Sequence, residues 1–212
     1  MQTVLVASSK GGCGKSTLVT NLAAMHADRG RHVTVVDADP QQSSWHWCAR
    51  RPATSPGVLA LSGPRQSTFD QVPPDTDVLL IDSPAGIQDR MLEPLLARAD
   101  AVLVPVLPSI FDFDAGVTFT ERLGTMARVR RGKLPVGLVA NRLKPWTRAS
   151  QEALAELRQL RFPVCGSIRD SQAYVVLAGL GKGIFDYHSE YVRSHQRDWQ
   201  RVTRWLSRHA KA

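Results

Sequence analysis

Cysteine is scarce in this sequence, and its three copies form no metal-binding or disulfide pattern: they are Cys13, Cys48 and Cys165. No C-x-x-C pair occurs, which argues against both a zinc site and a disulfide framework. We therefore expect the protein to work in a reducing cytosol. No apolar run approaches the ~20 residues that a membrane-spanning helix needs. The first residues have the pattern of a buried strand rather than that of a signal peptide.

Acidic residues are also in short supply. The chain has 27 lysines and arginines against 19 aspartates and glutamates, which gives a net charge of +8 and a pI near 9.9. This surplus favours a polyanionic partner, either nucleic acid or an acidic membrane surface, without choosing between them. The length suits one α/β domain that spans residues 1–212. No internal repeat or low-complexity segment is visible.

The most informative stretch is a glycine-rich loop near the N-terminus. The apolar residues 4–7 before it predict a buried strand, and Leu18, Leu22 and Met25 after it recur at helical spacing. Strand, glycine loop and helix together indicate a phosphate-binding P-loop, because glycines let backbone N–H groups curl around phosphate oxygens. Lys15 is expected at the β- and γ-phosphates, and the Ser16 hydroxyl at Mg²⁺. The nucleotide-binding residues predicted here are Gly11, Gly12, Cys13, Gly14, Lys15, Ser16 and Thr17.

Two further predicted strands end in acidic residues. Residues 32–36 run into Asp37 and Asp39, and the apolar residues 78–81 run into Asp82. Acids at the ends of parallel strands lie at the carboxyl edge of the sheet, where α/β folds bind ligands. With a P-loop upstream, Asp82 resembles the Walker B aspartate, which holds Mg²⁺ through water. The alternative for Asp37 and Asp39 is that they cap a helix.

Lys10 sharpens this interpretation. Residues 10–16, Lys-Gly-Gly-Cys-Gly-Lys-Ser, resemble the deviant Walker A motif of the ParA/MinD family of ATPases. The stretch 37–41 resembles the D-x-D-P-Q motif of the same family. This resemblance implies that Lys10 crosses a dimer interface to the nucleotide of the partner. It also implies that Asp39 orients the attacking water or accepts its proton, and that Asp37 lies near Mg²⁺.

The resemblance extends to the base pocket. It implies that Asn141 reads the adenine edge, and that the turn formed by Ile168, Arg169 and Asp170 closes the pocket largely through backbone atoms. The loop that contains Ser109 is expected near the nucleotide and the dimer interface. The cofactors implied are ATP and Mg²⁺.

A long cationic helix is predicted at the C-terminal end, over residues 187–211. Trp199, Val202 and Leu206 fall on one side of it and are expected to pack on the sheet. On the opposite side, six cations fall within an arc of ~80°. Three interpretations of this row are open: it binds nucleic acid, it binds an acidic membrane, or it is a solvated face. DNA binding is favoured because the row contains no acid. Its members are Arg193, Arg197, Arg201, Arg204, Arg208 and Lys211. A second cationic cluster at 128–133 suits the end of a helix dipole, with anion binding as its alternative.

Strands alternate with helical patterns throughout, so we predict a single doubly wound α/β fold with a mainly parallel sheet. Residues 52–76 are rich in proline and are interpreted as an insertion between sheet strands, with a short strand near 58–61. Because the P-loop strand stands at the start of the sequence, no helix-turn-helix region for operator-specific repression is expected.

The resemblance implies a Mg²⁺-dependent ATPase that dimerises around two ATP molecules, binds DNA non-specifically and is released by hydrolysis. Such proteins distribute plasmids, chromosomes or protein cargo with an activating adaptor protein, and the expected location is the cytoplasm, on the nucleoid.

Three other functions are weighed against this one. A MinD-like membrane switch needs basic residues flanking an exposed apolar helix face, whereas here the two faces are opposed. A reductase of the nitrogenase iron-protein kind needs cysteines in positions that this chain does not fill. A small-molecule kinase leaves Lys10 unexplained.

Overall fold

The computed structural model describes residues 1–209, except for the side chains of residues 110–112, and it contains one seven-stranded parallel sheet. The strand order is β3-β2-β4-β1-β5-β6-β7. The strands are β1 Gln2–Val6, β2 Val33–Asp37, β3 Leu59–Ser62, β4 Val78–Asp82, β5 Ala101–Val106, β6 Val136–Leu143 and β7 Val164–Arg169. Helices cover both faces of this sheet, which confirms the predicted doubly wound fold. They are α1 Lys15–Asp28, α2 Ser43–Ala49, α3 Gln66–Phe69, α4 Asp89–Arg98, α5 Ile110–Thr125, α6 Ala127–Arg130, α7 Arg148–Leu157, α8 Gln172–Gly179, α9 Glu190–Gln196 and α10 Gln200–His209.

The two faces of the sheet carry separate apolar layers. Every residue of β1, β2 and β4 is buried, as expected for strands that have helices on both sides. Alternate β1 residues divide between the layers. Val4 and Val6 pack with α1 and the C-terminal helices, whereas Leu5 packs with α4, α5 and α7. Successive side chains of a strand point to opposite faces of the sheet. A central strand with an apolar layer on each face therefore needs an apolar residue at every position.

The register of the central strands aligns their carboxyl ends. Asp37 of β2 and Val6 of β1 are both opposite Asp82 of β4. The loops that follow β1, β2 and β4 consequently leave the sheet side by side. This common edge is the place where ligands bind in α/β sheets of this kind.

The proline-rich stretch 52–76 is better integrated than an insertion. It contains β3, which pairs in parallel with β2 at the edge of the sheet, and the short helix α3. The expected short strand is present, shifted by one residue from the predicted 58–61. All four of its residues are paired with positions 34–37 of β2, so hydrogen bonding to β2 compensates for the short length.

The C-terminal helix differs from its prediction at its start and in the middle. The helix begins at Glu190 rather than at 187, because the Ser189 side chain accepts a hydrogen bond from the Val192 N–H and caps it. A 3₁₀ turn, Arg197–Trp199, separates α9 from α10. The predicted orientation is confirmed, since the apolar side is buried: it consists of Val192, Trp199, Val202 and Leu206.

Candidate active site

The P-loop joins the end of β1 to α1. Gly12 and Gly14 have φ angles of +76° and +95°, a left-handed conformation that glycine adopts without strain. A Cβ on Gly14 would lie 2.2 Å from Nδ2 of Asn141, so a side chain at this position would also collide with its neighbour. Helix α1 begins directly after it, at Lys15. The first backbone N–H groups of α1 therefore face the loop, as phosphate binding requires.

Lys15 is buried and folds back over the loop, with its Nζ 3.5 Å from the carbonyl oxygen of Lys10. The same carbonyl accepts a hydrogen bond from the Ser8 hydroxyl at 2.9 Å. The side chain of Lys10 is exposed at the rim of the loop. An exposed lysine beside the phosphate site suits the predicted contact across a dimer, and that role stays a prediction.

Cys13 and Asn141 support the loop from behind. The Cys13 thiol is buried, 2.8 Å from the Ser8 hydroxyl, so Cys13 would meet a nucleotide through its backbone. The buried Asn141 amide donates a hydrogen bond of 2.8 Å to the carbonyl of Cys13. The sequence did not predict this support for the P-loop. The predicted contact of Asn141 with adenine stays a prediction. The second N–H of its amide and its oxygen are the atoms left for such a contact.

Asp82 is the most unusual group at this edge of the sheet. Its side chain is fully buried, and neither carboxylate oxygen makes a hydrogen bond to any residue that the structure describes. Burial and, to a lesser extent, the charge of Asp37 raise its pKa to about 7, against the opposing effects of Ser16, Ser44 and Lys15. The Ser16 and Ser44 hydroxyls are thus near enough to act on Asp82 without hydrogen bonds of ordinary geometry.

This environment fits a magnesium ion. A buried carboxylate without partners is costly unless a cation compensates it. Magnesium typically takes one or two carboxylates and completes its octahedron with water and substrate phosphate oxygens. Ser16 provides a hydroxyl oxygen and Asp82 a carboxylate as ligands for such an ion. The described part of the chain contains no cluster of three or more acidic, histidine or cysteine residues that could hold a metal. The metal would therefore rely on nucleotide and water for most of its coordination.

Asp37 has a structural task in addition to its predicted one. One carboxylate oxygen accepts hydrogen bonds from the Ser44 hydroxyl at 2.7 Å and the Trp45 N–H at 2.9 Å, at the N-terminus of α2. The other oxygen accepts from the Asp39 N–H at 3.0 Å. The capping alternative is thus correct for Asp37. Its charge still lies beside Asp82, as the expectation of a place near Mg²⁺ requires, and direct ligation stays a prediction.

Asp39 connects two loops of the site. One oxygen accepts from the Gln41 N–H at 2.9 Å, and the other accepts from the Ala85 N–H at 3.1 Å. Ala85 lies in the loop after β4, where Gly86 has a φ of +62° and packs close to the carbonyl of Ser9. The acid predicted to act on water is therefore held between the loops that follow β2 and β4.

The predicted base-pocket turn is present, but two of its side chains are engaged elsewhere. Ile168 is buried in the core, which leaves its backbone as the part that can face a base. Arg169 forms an ion pair of 2.8 Å with Asp198 and donates to the Ser194 carbonyl. Asp170 lies 3.3 Å from Arg142. The sequence signal that was missed is Asp198, an acid within a strongly cationic helix.

Five members of the predicted cationic row are exposed, and Lys211 lies outside the described residues. The row follows α9, the 3₁₀ turn and α10 over the outer side of the molecule: Arg193, Arg197, Arg201, Arg204 and Arg208. The 3₁₀ turn contacts Arg169 at the carboxyl end of β7, and α10 lies beside Val164 at its amino end, so the row extends along the length of β7. In the second cluster, Arg128 donates to carbonyls of Ala97 and Ala99 at 2.9 Å and thereby caps α4.

Known sequences that resemble this chain identify its family. A profile of the CobQ/CobB/MinD/ParA nucleotide binding domain matches residues 4–182. The chain belongs to this family. It is 32% identical over 166 residues to the maintenance of carboxysome distribution protein A of Halothiobacillus neapolitanus, covering 76% of each chain. It is 31% identical over 155 residues to the protein ParA of Rhizobium radiobacter, covering 71% of this chain and 69% of that one.

Solved structures share the fold of this family member. The superposition on the MinD cell division protein of Aquifex aeolicus covers 100% of this chain and 99% of that protein. Its TM-score is 0.77, and the two sequences are 18% identical. The septum site-determining protein MinD of Pyrococcus horikoshii matches with the same coverage, a TM-score of 0.68 and 17% identity. That second structure is a complex with Mg-ADP, which agrees with the predicted cofactors ATP and Mg²⁺. Within the described residues, no helix is both long and apolar enough to cross a membrane.

Proposed function

We propose that this family member is a Mg²⁺-dependent ATPase that dimerises around two ATP molecules and binds DNA without sequence preference in that state. Hydrolysis returns it to a form that leaves DNA. The cycle positions a cargo, either a plasmid, a chromosomal region or a protein assembly, together with an activating adaptor protein. The observation that carries the DNA-binding part is the row of five exposed arginines on the outer side of the C-terminal helix.

Each residue of the site has a task in this proposal. Lys15 binds the β- and γ-phosphates, and the N–H groups at the start of α1 bind the same oxygens. Ser16 and Asp82 hold Mg²⁺, which when bound neutralises charge on the β- and γ-phosphates. Asp39 orients the attacking water and accepts its proton, while its bond to the Ala85 N–H keeps it between the two loops. Lys10 contacts the nucleotide of the partner subunit.

The geometry of the arginine row favours DNA over a membrane. Cations one helical turn apart repeat every ~5–6 Å, close to the spacing of phosphates along a nucleic-acid strand. A peripheral membrane helix inserts an apolar face into lipid. Here that face is already covered, because Trp199 and Leu206 pack on the sheet and are 1% and 2% exposed. The arginine face remains exposed for binding.

Dimerisation gives ATP control over binding without any change in the helix. One row makes a few phosphate contacts and binds weakly. Two rows joined by ATP bind the same duplex, and the second set of contacts forms intramolecularly, so affinity rises far more than twofold. The proposal therefore expects nucleotide-dependent binding that is strongly sensitive to salt.

Co-sedimentation with duplex DNA of random sequence and with anionic liposomes, each with ATP, ADP and no nucleotide, tests this proposal. We expect ATP-dependent association with DNA at low salt and little association with liposomes. ATP-dependent association with liposomes alone would replace the DNA function by a membrane function. Association with neither, by a protein that hydrolyses ATP, would reject both.

A further inference from the structure

A polar groove separates the C-terminal end of α1 from one flank of the C-terminal helix. One part has a volume of about 400 Å³ and is lined by Arg29 of α1's end and by Arg193, Arg197 and Thr203 of the helix. A second part, of about 320 Å³, is lined by His26, Arg29, Arg31, Thr203 and Ser207. Because Arg29 and Thr203 line both parts, the two volumes adjoin each other, and together they are called the groove.

The groove is strongly cationic. Four arginines line it, Arg29 and Arg31 on one wall and Arg193 and Arg197 on the other, and all four are exposed. Across the described residues, the guanidinium groups of Arg29 and Arg31 make no ion pair or side-chain hydrogen bond. Among the described residues that line the groove, the one carboxylate is that of Asp28. Unpaired guanidinium groups on facing walls are suited to an anion held between them.

The backbone presents Arg29 and Arg31 together on this wall. Helix α1 ends at Asp28, and Gly30 follows with a φ of +75°. The N–H groups of Arg29 and Arg31 both donate to the His26 carbonyl, at 3.2 and 3.1 Å. The turn that closes the helix thus sets one arginine on each side of the glycine, next to the groove.

His26 supplies a second observation that points to a ligand. Its side chain is 7% exposed and lines the groove, and neither ring nitrogen has a hydrogen-bond partner in the described part of the chain. Burial, together with the charges of Arg31 and Arg29, lowers its pKa to about 4, so the ring is neutral near pH 7. A neutral imidazole offers one N–H donor and one acceptor. Both nitrogens are buried and unsatisfied, which costs free energy that a polar group reaching the ring would recover.

We propose that this groove binds phosphate groups of the DNA backbone, so that the DNA interface has two walls rather than a single row of arginines. The inference rests on the proposed DNA-binding function and extends it. Arg193 and Arg197 belong to both the row and the groove, which makes the two surfaces continuous. A flat layer of lipid headgroups would reach the exposed row but would not enter the groove, whereas a projecting phosphate strand can lie along it.

Measuring DNA affinity across a salt series, with ATP present, tests the groove. The variant is Arg29→Ala with Arg31→Ala. The matched control is Arg90→Ala with Arg158→Ala, which removes the same charge from exposed positions of the opposite layer. Each lost phosphate contact lowers the salt slope by about one. We expect the groove variant to lose about tenfold or more in affinity and about two units of slope, and the control to change little.

Conservative substitution guards against an effect on folding. Arg29→Lys with Arg31→Lys keeps both charges, so it should retain most of the slope and affinity. Equal slopes and affinities for the groove variant and the control would overturn the inference while leaving the DNA function intact. Failure of the wild-type protein itself to bind duplex with ATP would reject the proposed function, and the groove inference with it.

The ring of His26 reports which phosphate occupies the groove. Histidine ring signals are recorded with duplex DNA and, separately, with inorganic phosphate at the same phosphate concentration, and His26→Gln identifies the signal. We expect the His26 signal to shift with duplex and to stay in place with inorganic phosphate. A shift with inorganic phosphate that duplex does not produce would overturn the DNA assignment and indicate a small-anion site.

Discussion

Asp82→Asn should make the metal-free protein more stable, and the gain should grow with pH. Folding raises the pKa of Asp82 from 3.8 to about 7, chiefly through burial. An acid whose pKa is higher in the folded state stabilises the fold fully below the unfolded pKa. That stability is lost as the pH rises towards the folded pKa, and it stays lost above it. Asparagine cannot ionise, so the variant lacks this loss.

The size of the effect follows from the shift. A change of roughly three pKa units corresponds to about 4 kcal/mol in the free energy of unfolding at pH values above 7. Near pH 5, where folded Asp82 is mostly protonated, the loss is about 1–2 kcal/mol. The stability difference between variant and wild type should therefore change by about 2–3 kcal/mol over this range. For a chain of this size that is roughly 4–12 °C in melting temperature.

Thermal unfolding in buffer with a chelator, at about pH 5 and about pH 8, measures this difference. The cost of burying the asparagine amide does not change with pH. The pH dependence of the stability difference therefore reports the charge of Asp82 alone. Asp28→Asn is the control, since Asp28 is exposed, and it should change stability little at either pH. Adding Mg²⁺ and ADP should stabilise the wild type much more than the variant. A difference that is independent of pH would refute the assignment of a charged, uncompensated Asp82.

Three further variants test the roles of single residues. Lys15→Ala should abolish ATP binding in calorimetry, because it removes the charge that faces the β- and γ-phosphates; unchanged affinity would contradict its role. Asp39→Ala should bind ATP and dimerise but hydrolyse it ~10²–10⁴-fold more slowly, as expected for loss of a water-positioning acid; normal turnover, or a protein that stays monomeric with ATP, would exclude it. Lys10→Ala should retain nucleotide binding and lose ATP-dependent dimerisation in light scattering or hydrolysis, and an intact ATP dimer with normal turnover would count against a contact across the interface.

Local patterns sufficed to predict the central part of the site. The order of strand, glycine-rich loop and helix predicts the P-loop. Gly12 and Gly14 adopt positive φ angles in it, and glycine is the residue type that does so without strain. Continuous apolar runs that end in acids located Asp37 and Asp82 at one edge, and the parallel register makes them neighbours. These inferences depend on residues close in sequence or on strands with a fixed geometry.

Contacts between distant segments were beyond the reach of such patterns. The hydrogen bond from Asn141 to Cys13 joins residues 128 positions apart, and that from Ala85 to Asp39 joins residues 46 positions apart. No local rule specifies either pair. The same holds for Arg169, whose partner Asp198 lies 29 positions further along the chain. The start of the C-terminal helix was missed for a local reason, because the cap at Ser189 outweighs the apolar periodicity that begins at Tyr187.

In the proposed function, ATP-dependent dimerisation brings two arginine rows onto one DNA duplex. Fluorescence anisotropy of labelled random duplex at low salt, with ATP, tests it on Arg197→Glu with Arg201→Glu. This double variant should lose DNA binding while it keeps ATP binding and dimerisation, because both positions are exposed and remote from the P-loop. If the double variant still binds duplex with wild-type affinity in ATP, the arginine row is a solvated face and the account of DNA binding is wrong.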